Sequence, residues 1–157
     1  IPQLNSTIIT YSGLHDLIHL ELLTVNLKEI EPGAFQRMSQ IEFLSITHNE
    51  IRDFKANTFR YLENLFFLNL SYNHISDMES GIFSGLSNLR HLDLHGNNVL
   101  DLEANVFEGM GTPGNCDIIK IANFLNDRRN FKIFSYLCSF TYFNKGGFCL
   151  FQIWLNG

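Results

Sequence analysis

The chain has 157 residues, 45% apolar and 17% charged, a composition that supports one globular unit with a core and excludes a disordered segment. Its formal net charge of −5 argues against a surface built to meet nucleic-acid phosphates, and no lysine-rich run suggests a polybasic membrane anchor. The charge is unevenly spread: residues 1–110 carry 6 basic and 14 acidic side chains, net −8, and residues 111–157 carry 5 and 2, net +3.

The chain opens Ile-Pro-Gln-Leu, with no methionine and no basic segment ahead of an apolar run, so it reads as processed or as a fragment. From Leu17 a period of 24 residues governs the sequence. The successive blocks are 17–40, 41–64, 65–88 and 89–112, aligned without a gap. Three apolar columns open each block: Leu17/Ile41/Leu65/Leu89, Leu20/Leu44/Leu68/Leu92 and Leu22/Ile46/Leu70/Leu94. Further on come Leu27/Ile51/Ile75/Val99, Ile30/Phe54/Met78/Leu102, Phe35/Phe59/Phe83/Phe107 and Met38/Leu62/Leu86/Met110. An asparagine column, Asn49/Asn73/Asn97, is broken by Val25 in the first block, so an amide ladder is expected to begin at Asn49. Residues 1–16 read as the end of a preceding repeat, with Tyr11 in the Phe column and Leu14 in the last Leu column.

Within each Leu-x-x-Leu-x-Leu segment, alternate side chains point opposite ways. One strand per block, stacked in parallel, then buries a continuous apolar ladder that no block can bury alone. Strands are expected at 19–23, 43–47, 67–71 and 91–95. The pattern resembles the 24-residue extracellular type of leucine-rich repeat, as found in Toll-like receptors, Slit-like guidance proteins and leucine-rich hormone receptors. That resemblance implies an α/β fold: a right-handed leucine-rich-repeat solenoid, or horseshoe, with a concave parallel β-sheet and a mostly irregular convex side. The asparagines would bond backbone groups where the chain leaves each strand.

Residues 113–157 form an atypical Phe- and Cys-rich tail. The text Pro113-Gly-Asn-Cys116-Asp117-Ile118 resembles the family's C-terminal cap motif but has Ile118 where a second cysteine belongs. The tail is also open to reading as degenerate repeats, with Cys116, Ile118, Phe131 and Phe134 in apolar columns of the 24-residue frame, or as non-native read-through of AT-rich sequence. Cys116, Cys138 and Cys149 match no zinc spacing, and three cysteines cannot pair completely. Residues 133–155 carry one charge, but Asn144, Lys145, Gly146 and Gly147 at mid-stretch make a poor membrane span.

No nucleophile motif, metal-binding motif or phosphate loop occurs, so the chain is expected to be non-enzymatic and to need no cofactor. His91 and His95 share a strand face but lie ~13 Å apart, too far for one ion. Glu29, Asp53, Asp77 and Asp101 form an acidic column, backed by Glu31, Lys55, Glu79 and Glu103 and read as turn capping. Sequons occur at Asn5 and Asn69.

The expected function is recognition of a protein ligand or co-receptor on the concave face of an extracellular or cell-surface ectodomain. Membrane attachment would come only through segments absent from this chain. The expected lining is His19, Glu21, Phe43, Ser45, Thr47, Phe67, Asn69, Ser71, Tyr72, His91, Asp93 and His95, with Leu23 in the same columns. Phe43 and Phe67 should stack side by side on adjacent strands ~4.8 Å apart. Alternatives are a secreted matrix or scaffold protein without signalling, or the repeat portion of a larger ectodomain enzyme similar to peroxidasin.

Overall fold

The structure, a computed structural model, describes residues 3–99, 106–107 and 109–110, together with the backbone of 118–120 and 150–152. Each block contributes one short strand to a parallel sheet. The strands are β2 (His19–Glu21), β4 (Phe43–Ser45), β5 (Phe67–Asn69) and β6 (His91–Asp93), continued by β7 (Ile118–Lys120) and β8 (Leu150–Gln152). A separate parallel pair joins β1 (Gln3–Leu4) to β3 (Glu29–Ile30). Across β2, β4, β5 and β6 the register is the sequence period itself, Leu20 against Leu44, Leu68 and Leu92.

The strands are three residues long where the alternation suggested five. Pairing nevertheless continues past them: the Leu22 amide bonds the Ser45 carbonyl at 2.8 Å, and the Thr24 amide bonds the Thr47 carbonyl at 3.2 Å. What ends each strand is the next residue but two. Thr24, His48 and Tyr72 all take left-handed backbone angles (φ 53°, 54° and 53°), and Gly96 takes the same position at 68°. A left-handed residue cannot extend a strand, so the chain turns out of the sheet there.

The inward columns form one core. Leu44, Ile46, Leu68, Leu70, Ile51, Ile75, Leu62 and Leu86 are fully buried, and among the described residues of the repeat pattern only Leu17, Leu22, Val25 and Met110 are half-buried at its margins. The phenylalanine column makes a second spine, with ring centroids 5.9 Å apart for Phe35–Phe59, 6.4 Å for Phe59–Phe83 and 5.8 Å for Phe83–Phe107. Around that spine the chain runs in successive turns with hydrogen bonds three residues apart, such as Met38 to Phe35, Leu62 to Phe59 and Leu86 to Phe83. Each run opens on a left-handed residue, Gly33, Asn57 or Gly81, a column the hydrophobic pattern does not reveal.

Two expectations need correction. Tyr11 is not in the phenylalanine spine; it is 87% exposed. Leu4 pairs with Ile30, a spacing of 26 residues, so Ile9 corresponds to Phe35 and is the buried one. The cause is the helix α1 (Ser6–Tyr11), capped by the Asn5 side chain accepting from the Ile8 amide, which takes up residues differently from a turn. Leu14 does pack against the core. Beyond β6 the 24-residue frame also fails: Ile118 pairs with His91 and Leu150 with Ile118, steps of 27 and 32 residues. The three tail cysteines, Asp101, Leu102 and Glu103 lie outside the described residues, as does most of 113–157.

Removing a spine ring leaves a cavity between two other rings, which their fixed backbones cannot close. Phe59→Ala and Phe83→Ala should each lower unfolding free energy by about 3–5 kcal/mol, measured by urea denaturation.

Candidate concave recognition surface

Strand alternation turns the third, fifth and seventh residues of each block away from the core. The third-position rings meet in a row across the sheet. His19 and Phe43 stack at 4.0 Å between centroids with 19° between planes, and Phe43 and Phe67 at 4.4 Å and 3°. His91 closes the row, 5.9 Å from Phe67 and tilted by 39°. Because the planes are nearly parallel and in contact, the inner faces of Phe43 and Phe67 cover one another. What the row presents outward is ring edge, the positive rim of the aromatic quadrupole.

The fifth-position residues form a polar floor beside this row. Glu21, Ser45, Asn69 and Asp93 are register neighbours. The His19 ring pairs with the Glu21 carboxylate at 2.9 Å, and the His95 ring with the Asp93 carboxylate at 2.5 Å. Asp93 also accepts from the His95 amide, and the Asn69 side-chain oxygen accepts from the Ser71 amide at 3.0 Å in the same local turn. These bonds hold the Glu21, Asn69 and Asp93 side chains in place without help from a ligand.

The seventh position is less open than alternation suggests. Thr47 is 8% and Ser71 2% exposed, so neither offers a ligand its side chain, although Leu23 and His95 in the same column are accessible. Short hydroxyl side chains are recessed here between taller neighbours. One of these is Tyr72, 49% exposed, stacked on His48 at 4.5 Å and meeting the His95 ring edge-on at 4.5 Å. The Tyr72 ring lies directly over Gly96, where an added Cβ would stand 2.6 Å from its Cδ1. His48, absent from the lining that strand alternation predicts, is therefore part of a second ring cluster at the far end of the strands. The left-handed column explains the miss, since it points residues 48 and 72 by backbone angle rather than by strand alternation.

Of the sequons, Asn5 caps α1 and Asn69 stands in the polar floor between Ser45 and Asp93. On the opposite side, Lys55 lies 3.9 Å from Asp53 and 3.8 Å from Glu79, and Glu79 also accepts from the Ala56 amide. Asp77 accepts from the Met78 amide. Among the described residues no group of three His, Cys, Asp or Glu could hold a metal ion, and no helix is long and apolar enough to cross a membrane.

A family model described as leucine rich repeat matches residues 15–75 and 68–111, more than half of the chain. Among solved structures, a crystal structure of TLR13 in complex with the RNA ssRNA13 is similar over 78% of this chain, with 34% sequence identity and a TM-score of 0.70. This chain covers only 16% of the TLR13 chain. No match among curated proteins accompanies these findings.

The seat under Tyr72 yields a direct check. Gly96→Ala should force the ring off its position and strain a left-handed residue, costing about 1 kcal/mol in urea denaturation. The ring-proton chemical shifts of Tyr72, His48 and His95 should move together in NMR spectra, while those of Phe43 and Phe67 stay in place.

Proposed function

Since the chain belongs to the leucine-rich-repeat family, we propose that it is a protein-recognition module that binds a protein ligand on the concave sheet face, as part of a longer extracellular or endosomal receptor ectodomain. The observation that carries this reading is the row His19–Phe43–Phe67–His91, aromatic side chains placed where a sheet's outer face ordinarily carries polar ones. Aromatic anchors ringed by polar groups are what protein interfaces use as hot spots. Glu21, Ser45, Asn69, Asp93 and Tyr72 supply the ring here.

A protein ligand fits better than a nucleic acid, although the TLR13 structure is a complex with single-stranded RNA. Single-strand binding needs a basic groove and free aromatic faces on which bases stack. Residues 1–110 are net −8, and the faces of Phe43 and Phe67 are spent on each other. Chemistry and signalling, if the parent protein has either, fall to segments outside this chain.

The test is binding with folded variants. Against a protein ligand selected on the wild-type chain from a display library of extracellular domains, Phe43→Ala and Phe67→Ala should each weaken binding by about tenfold or more. Charge reversals at Lys55 and Glu79, on the other side of the solenoid, should leave it unchanged. Single-stranded RNA titrated at physiological ionic strength should show no saturable binding. Normal affinity in both Phe variants with loss in the Lys55 and Glu79 reversals would move the site to the convex side.

A further inference from the structure

The ring row does not stop at the concave face. His91 lies 5.2 Å from Phe66 as well as 5.9 Å from Phe67, so the row turns the corner onto the flank where the chain enters each strand. Four residues on that flank, each immediately before a strand, form consecutive rungs: Ile18, Glu42, Phe66 and Arg90. Backbone bonds join them directly, from the Glu42 amide to the Ile18 carbonyl at 2.9 Å, from Phe66 to Glu42 at 2.8 Å and from Arg90 to Phe66 at 2.9 Å.

The side chains on these rungs are unusually placed. Ile18 is 58% and Phe66 43% exposed, and they stand on either side of Glu42. The exposed Glu42 carboxylate has no hydrogen-bond or ion-pair partner among the described residues. Some acidic side chains of the repeats do find partners, as with Glu21 to His19, Glu50 to Lys28 and Glu79 to Lys55, whereas Glu42 has an exposed apolar side chain on the rung to either side of it. Arg90, on the next rung, lies over the Phe66 ring with its guanidinium carbon 5.8 Å from the centroid, which steadies that ring.

We propose that Ile18, Glu42 and Phe66 form a docking surface for a helix of a partner protein, one that sets an arginine or lysine between two apolar side chains. The spacing supports a helix. Adjacent rungs of a parallel sheet are ~4.8 Å apart, and side chains three or four positions apart on one helix face are ~5–6 Å apart. A helix lying along the solenoid axis therefore brings residues i, i+4 and i+7 over three successive rungs. The charge supports a basic residue at the middle position, because the unpaired carboxylate sits between two apolar side chains and the repeats as a whole are acidic. Continuity through His91 makes this flank an extension of the concave surface, so the inference rests on reading the repeats as a protein-recognition module.

The experiment uses the whole 157-residue chain and a fluorescent, helix-stapled peptide whose one face reads Leu, Arg, Leu at those positions, with a second peptide carrying Glu in place of Arg. Fluorescence anisotropy should show saturable binding of the Arg peptide, weakened about tenfold or more by both Phe66→Ala and Glu42→Lys. In the Glu42→Lys variant the preference should reverse towards the Glu peptide. All three residues on the chain are exposed, and circular dichroism of each variant confirms that the fold is kept. Equal binding of the two peptides, no saturable binding of either, or binding untouched by Phe66→Ala and Glu42→Lys would overturn the proposal. If binding is instead lost in Phe43→Ala and Phe67→Ala alone, the flank is wrong and the concave reading stands.

Discussion

Three buried asparagine side chains carry the architecture. Asn49 accepts from the amides of Val25 and Leu27 through its oxygen, and donates through its nitrogen to the carbonyls of Leu22 and Thr47, at 2.7–3.1 Å. Asn73 and Asn97 repeat the arrangement one and two blocks on, donating to Ile46 and Leu70 and to Leu70 and Leu94. Each is at most 5% exposed, in a place where the backbone has left the sheet and lost its ladder partners. A buried peptide group without a partner costs about 1–3 kcal/mol, and one primary amide answers several of them at once. Aspartate could only accept, and a longer glutamine would not sit in the same turn.

Because each asparagine reaches back into the block before it, the same bonds lock neighbouring blocks into register. The register then dictates everything at the surface. It stacks Phe43 on Phe67 and sets Ser45 beside Asn69. It also places the left-handed residues 24, 48 and 72 in one column, which is why His48 and Tyr72 meet. On the entry flank a further set of amides ties blocks together, Asn64 donating to the Ser39 carbonyl and Asn88 to that of Glu63, each at 2.8 Å. Recognition surfaces built this way are pre-organised, since their side chains are ordered by bonds the fold needs in any case.

The two ring rows also record the curvature. Rings of the buried spine are 5.8–6.4 Å apart, whereas on the sheet side His19–Phe43 and Phe43–Phe67 are 4.0 and 4.4 Å apart and only the tilted Phe67–His91 pair widens to 5.9 Å. Blocks that are wider on one side than on the other bend the stack towards the sheet. The inner rings are pressed face to face, and the bend thereby turns two aromatic faces into one edge-lined ridge. That ridge differs in kind from a base-stacking platform, which has to leave ring faces open.

By itself the sequence determined the repeat, its length, the parallel sheet and the buried columns, because a strict 24-residue period of apolar and asparagine positions can be satisfied only by stacking in register. It also determined that Phe43 and Phe67 would meet, since identical positions on adjacent parallel strands are neighbours. It misplaced Tyr11, because a capped helix consumes residues at a different rate from a turn. It overstated the reach of Thr47 and Ser71, because alternation gives a side chain's direction and not its depth among taller neighbours. Only the tertiary structure decided that aromatic edges rather than faces point outward, that Tyr72 rests on Gly96, and that Glu42 stands unpaired between Ile18 and Phe66. Ring tilt, backbone handedness and the choice of ion-pair partner depend on how neighbouring blocks pack, and no column of residue types encodes them.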